Sequence, residues 1–565
     1  MPKKAVPAKS SESSPLSAHI SSEKTRISIP LKPTLFLKIF LAAFAFRAYN
    51  AVSVKTFFSP DEYWQSLEWA HQIRSFAHPF IFALGYQALK SLGLDNTELV
   101  ILTPKLIQAA FSAMTDTYTF MLTWKLFGKD AASWALAASF MSWFNYFCGV
   151  RTFSNCMETT FTVVALYYWP WTRIKLTRST CVCRDLWIAL AVAAAGCIVR
   201  PTNAILWIFM GTHLLWQNRK NSLSILGKVA VVATVAIVFA VVIDKAFYKS
   251  LTFTPFNFFK VNIVHNISIF YGGHPWHWYW TQGYPVVALT FIPAMILGIR
   301  KTRLRLPLFL MLWTIGGYSL LAHKEFRFIL PILPITLAYS GVQLASLAKA
   351  VKLDREQAVE QPVSWKMKLV RRLDLYIWLA FLAITNFGAA YYFSNVHQRG
   401  VIDVMTWLRT TIRNQPVSVD GILFLMPCHS TPYYSHIHRD IEMRFLSCEP
   451  PLGVVDRGSY IPEDDLFYSQ PHQFIQQYFS PSFGNKTLHT VAAAGEDTEP
   501  IAVPGQPYKI QRYSWPSHIV IFQTLEALMR DLILGSDYRV CARFFNSHFH
   551  DDDRRKGDVI VYCRS

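Results

Sequence analysis

The sequence predicts an all-α polytopic membrane protein with a small α/β domain at its C-terminus. Three observations carry this reading. The 565 residues are 52% hydrophobic and only 16% charged, outside the range of ordinary soluble domains. The apolar excess lies between about residues 31 and 393, in runs approaching the roughly 20 residues a spanning helix needs. After residue 394 the composition returns to that of a globular domain.

The elements follow in chain order. Residues 1–30 are rich in Ser, Lys and Pro and read as a disordered cytosolic tail. The first apolar run starts near Leu35 and lacks a small-residue cleavage site, so it is expected to serve as an uncleaved anchor. Candidate spans are 35–54, 100–122, 132–150, 157–171, 186–199, 204–216, 225–243, 284–297, 306–321, 329–347 and 375–393, about eleven in all. Residues 31–393 thus form a transmembrane domain, with lumenal loops at 57–99 and 244–283. Residues 394–565 form a lumenal domain.

Orientation rests on Lys and Arg in short loops. With Lys3 and Lys4 in the cytosol, Lys125 and Lys129, then Arg173, Lys175 and Arg178, then Arg219 and Lys220 fall on the same side. So do Arg300, Lys301, Arg303, Arg305 and the stretch 349–372. This bias accounts for the net charge of +19 without invoking nucleic acid. Segment 76–94 is apolar, but counting it as a span would reverse every later basic loop. It is therefore read as interfacial or re-entrant. The triplets beginning at Asn266 and Asn485 are glycosylation candidates, and both fall in segments assigned to the lumen.

Four polar constellations land on that lumenal face. Ser59-Pro60-Asp61-Glu62-Tyr63-Trp64-Gln65 places two carboxylates just past a span. They suit the first turn of a helix, and the same turn could aim one of them at a substrate. Asp61 is the first candidate for a general base and Glu62 the second. Arg200-Pro201-Thr202-Asn203 suits a tight reversal, and Arg200 could also steer an anion. The stretch 271–280 is dense in aromatics. It reads either as a membrane-interface belt or as a sugar or head-group site using His274, Trp276 and His277. His323-Lys324-Glu325-Phe326-Arg327-Phe328 gathers cations where the charge bias disfavours them. His323, Lys324 and Arg327 are candidate phosphate ligands, against the plainer reading of an ion pair on Glu325.

With Pro60-Asp61-Glu62, Trp64-Gln65, Arg200-Pro201-Thr202 and His323–Phe328 in that order, the chain resembles the lumenal dolichyl-phosphate-mannose-dependent mannosyltransferases of glycosyltransferase family 22. The resemblance implies a GT-C type membrane fold in the endoplasmic reticulum, with no bound metal and no cofactor beyond the lipid-linked donor. Met426–Pro432, Cys448–Leu452 and Trp515–His518 resemble the branch that adds the third, α1,2-linked mannose to the glycosylphosphatidylinositol (GPI) precursor. An α product from a β-linked donor implies inversion. One departure stands out. The family's Gly- and Trp-rich stretch is missing before Arg74-Ser75-Phe76-Ala77-His78-Pro79, which shortens the first loop beside Asp61.

Of nine cysteines, Cys428, Cys448, Cys541 and Cys563 lie in the C-terminal region and could pair, with connectivity open. Cys181 and Cys183 have no second pair at zinc-site spacing, so no metal site is expected. Rival readings are another lumenal mannosyltransferase (of N-glycan assembly, or of the fourth GPI mannose), an inactive short-loop variant, and a membrane transporter. A transporter would show mid-membrane ionisable residues and an internal repeat.

Overall fold

The computed structural model describes residues 33–68, 74–171, 180–265, 267–356, 365–414, 419–451, 459–480, 500–534 and 536–564. The expected N-terminal tail and both sequon residues, Asn266 and Asn485, lie outside the described residues.

The apolar segments fold as helices. Pro33–Ser53, Thr97–Phe127, Ser154–Tyr168, Thr180–Val199, Ala204–Gln217, Ser222–Tyr248, Leu306–Ser319, Leu333–Glu356 and Trp365–Asn395 each overlap an expected span, and the expected span 132–150 is divided between Lys129–Met141 and Trp143–Cys148. Among the described residues, four helical stretches are long and apolar enough to cross a membrane: Pro33–Ser53, Arg219–Tyr248, Phe326–Leu353 and Lys366–Asn414. A fifth arises if Tyr279–Ala288 and Phe291–Lys301 count as one broken span. That last pair corrects an expectation. Residues 284–297 do not form one straight helix, because the chain bends by 94° at Leu289, whose φ of 44° no helix accommodates. Helix Ala77–Ser91 has 15 residues. At about 1.5 Å per residue it is roughly 22 Å long, too short to cross a hydrocarbon core of about 30 Å.

Close packing and buried ion pairs hold the bundle together. A Cβ on Gly298 would lie 1.9 Å from the Tyr339 carbonyl oxygen, and one on Gly341 would lie 2.5 Å from that of Ala131. Glycine at these crossings lets Phe291–Lys301 and Lys129–Met141 both seat against Leu333–Glu356. Arg47 forks onto Asp116, with Nε–Oδ2 2.7 Å and Nη2–Oδ1 2.9 Å. Asp116 also accepts from Ser139. Two buried charges at this depth persist only because each satisfies the other.

The C-terminal region builds a five-stranded sheet. Its strands are β1 (Gly421–Leu425), β2 (Glu442–Phe445), β5 (His518–Phe522), β6 (Tyr538–Ser547) and β7 (Gly557–Arg564), in the order β2-β1-β5-β7-β6. Strands β3 (Ile501–Ala502) and β4 (Lys509–Ile510) form a separate short ribbon. β1 is parallel to β2 and β5, whereas β7 is antiparallel to β5 and β6. β1 and β5 read as unbroken runs, GILFL and HIVIF, because both of their faces are covered. Disulfides join Cys428 to Cys448 and Cys541 to Cys563, which gives the pairing the sequence left open.

Candidate active site

Pro60 precedes a short helix, Asp61–Tyr63, which continues as a π-turn over Trp64–Glu68. Neighbouring residues on a helix point about 100° apart, so the two adjacent carboxylates diverge. Asp61 Oδ2 lies 2.5 Å from Arg327 Nη2 and 3.9 Å from Arg74 Nη2. Its Oδ1 accepts from Gln65 Nε2. Glu62 turns the other way. Its Oε2 lies 2.8 Å from Arg151 Nη1, and both side chains are buried. It faces a second cavity, lined also by Lys105 and His436. The two candidate bases thus have different partners: Glu62 is paired with a buried guanidinium, and Asp61 is the one that meets the cationic cluster.

That cluster comes from the loop entering Phe326–Ile332. Glu325 accepts from Arg327 Nε at 2.7 Å and Nη2 at 2.6 Å, and its Oε1 lies 3.1 Å from His323 Nε2. Burial opposes the Glu325 charge, but Arg327 and His323 outweigh it and hold the carboxyl well below the usual range. Burial also opposes charge on His323. Glu325 and the Gly272 carbonyl outweigh it and raise the imidazole pKa. The ion pair on Glu325, read from sequence as an alternative to phosphate binding, therefore forms. Arg327 still reaches past it to Asp61.

Arg74 is the cation that sequence reasoning missed. Asp244, at the end of Ser222–Tyr248, accepts from Ser75 Oγ, the Phe76 amide and Thr254 Oγ1. Tyr248 donates to the Arg74 carbonyl. These bonds fix the turn that delivers Arg74 and starts the helix carrying His78. Burial, then the like charges of Arg200 and Arg327, lower the Arg74 pKa to about 10, which leaves it cationic at neutral pH. The motif holding Arg74 and His78 was visible in the sequence, but it served only to mark the shortened loop. Asp61, Gln65, Arg74, Ser75, His78 and Arg327 line one open cavity.

Several predicted residues stand apart from this cavity. Lys324 donates to the carbonyls of His274 at 2.8 Å and Leu321 at 2.5 Å, so its ammonium braces the loop. Arg200 Nε lies 3.1 Å from a Glu158 carboxylate oxygen and its Nη1 donates to Ser154, so its guanidinium is already engaged. His323 is held by Gly272 and Glu325. His274 and His277 are exposed and Trp276 is 69% exposed. The ring that packs inward beside them is Trp278, at 4.8 Å from Phe326.

The sheet domain grips the acidic helix. Trp64 Nε1 donates to the Thr431 carbonyl, and its ring packs on His429, Tyr433 and Phe445. The Glu68 carboxylate accepts from the amides of Tyr433 and Ser435. Cys428, His429 and Cys448 cluster as metal ligands do. The two sulfurs are bonded to each other, so they offer no thiolate pair.

A helical membrane bundle carries a carboxylate ion-paired to an arginine on a cavity wall, with a sheet domain appended to it. The fold is similar to that of ArnT from Cupriavidus metallidurans, crystallised with undecaprenyl phosphate. The TM-score is 0.50 at 12% identity, over 94% of this chain and 98% of that one. The Alg9-like mannosyltransferase family matches residues 38–438, and the chain belongs to that family. It is 37% identical to GPI mannosyltransferase 3 of Yarrowia lipolytica, over 92% of this chain and 95% of the relative. It is 35% identical to human GPI alpha-1,2-mannosyltransferase 3, over 93% and 87%. It is also 37% identical to mannosyltransferase APTG1 of Arabidopsis thaliana, over 93% and 92%. Family membership sets the transporter reading aside.

Proposed function

We propose that this protein moves mannose from dolichyl-phosphate-mannose to the GPI precursor, adding the third, α1,2-linked mannose. Identity of 35–37% over more than nine-tenths of the chain to relatives bearing that name supports the activity. The observation that carries the mechanism is the contact of Asp61 with Arg327 beside Arg74, all on one cavity.

The chemistry follows from charge. The donor phosphate sits against Arg74 and Arg327, the two guanidiniums that line that cavity, rather than on Lys324 or Arg200, which do not. In drawing on Arg327 it competes with Asp61 and frees Oδ2. Asp61 then accepts the proton of the acceptor's 2-hydroxyl as that oxygen attacks the anomeric carbon. The carbon–oxygen bond to phosphate breaks on the opposite face, its electron pair leaves with dolichyl phosphate, and the second negative charge this creates is held against the two guanidiniums. One displacement inverts β to α. No metal ion takes part in this scheme, because arginine carries the compensating charge.

The path that serves this chemistry has the N-terminus in the cytosol, about eleven crossings of the endoplasmic reticulum membrane, and the sheet domain in the lumen. Complementation tests the proposal. Cells lacking the third GPI mannose should regain surface GPI-anchored protein with this chain and not with its Asp61→Asn variant. Rescue of N-glycan precursor instead of GPI precursor would overturn the assignment.

A further inference from the structure

Two buried polar atoms of residues beside Asp61 have no hydrogen-bond partner among the described residues: Gln65 Oε1 and His78 Nε2. A buried polar group left unpaired costs about 1–3 kcal/mol, so a native pair of them in one cavity needs an explanation. Both side chains line the cavity that holds Arg74 and Arg327. His78 is 5% exposed, and its ring is set edge-on against Phe82 at 5.1 Å.

The chemistry of these atoms specifies their partner. Gln65 donates its amide nitrogen to Asp61 Oδ1. A carboxylate oxygen only accepts, so the other end of the amide must be the carbonyl. An orphan carbonyl oxygen needs a donor. A phosphate diester has none to give, whereas a sugar hydroxyl does. His78 is neutral: burial and the nearby Arg74 and Arg200 lower its pKa to about 3. A neutral imidazole nitrogen suits a hydroxyl, which gives and receives hydrogen bonds. Arg74, Arg327, Gln65 and His78 line one cavity, and the donor sugar is bonded directly to the phosphate those arginines would hold.

We infer that Gln65 Oε1 and His78 Nε2 form the hydroxyl-recognition subsite for the hexose being transferred, next to the base. This rests on the mannosyl-donor reading above and adds to it the residues that read the sugar.

The test uses the full-length chain in detergent with a short polyprenyl-phosphate-mannose and analogues each lacking one sugar hydroxyl. Wild type should lose about tenfold or more in kcat/KM with at least one deoxy donor. His78→Ala and Gln65→Leu should lose a similar factor with the intact donor. Each should then show little further loss with the deoxy donor missing its own hydroxyl partner. If both variants fail to fold, the wild-type series still decides: equal kcat/KM for all donors would overturn the subsite. Variants that penalise every donor by the same factor would overturn it too. A wild-type chain that transfers no mannose at all would overturn the donor reading and the subsite together.

Discussion

Arg327 Nη2 sits 2.5 Å from Asp61 Oδ2 although 266 residues separate them. The contact joins the acidic motif of the first loop to the cationic motif near residue 325. It is one connection in a chain of charges running from His323 through Glu325 and Arg327 to Asp61 and Arg74.

The two adjacent carboxylates should separate under mutation. Asp61→Asn should cut transfer by about 10²- to 10⁴-fold, the usual worth of a general base, with little change in thermal stability. Glu62→Ala should instead leave Arg151 buried without its carboxylate and cost about 3–5 kcal/mol of stability. Activity per folded molecule and melting temperature in detergent, measured on both variants, would expose any exchange of roles.

The cations should separate in the same way. Arg74→Ala should raise the apparent KM for the lipid donor by about tenfold or more, the scale of a lost charged hydrogen bond, and leave the acceptor KM near wild type. Lys324→Met removes a brace between two loop carbonyls and should appear mainly as lower stability. Donor kinetics on both variants check this; a larger donor effect from Lys324 would contradict the geometry.

His323 sets a pH dependence. Its pKa is raised in the fold by Glu325, so its stabilisation is full below its ordinary value of about 6.5. That stabilisation is lost as pH rises through the higher folded value. Melting curves between pH 6 and 9 should therefore fall more steeply for wild type than for His323→Gln. Parallel curves would show that the pair with Glu325 contributes nothing.

The Cys428–Cys448 disulfide lies beside the strip that holds Trp64. Cys448→Ser should cost about 2–5 kcal/mol, the usual effect of a lost native disulfide. It should also lower transfer, because Thr431 and Tyr433 fix the helix that carries Asp61. Trp64→Ala should lower transfer with the disulfide intact. Full activity in both variants would show that the sheet domain does not position the base.

The chain's own order of residues determined the helical membrane domain, the sheet-bearing tail and the two charged motifs that meet. Long apolar runs and uncompensated charges announce themselves locally, because burial in lipid penalises any other pattern. Only the tertiary structure decided which member of each motif faces the cavity. Asp61 and Glu62 are neighbours in sequence yet point to different arginines, since helix geometry turns successive side chains apart. Lys324 and Arg200 look like free cations until His274, Leu321 and Glu158 are found against them. Arg74 and His78 gained their place from Asp244, some 170 residues away, and no local pattern carries that distance.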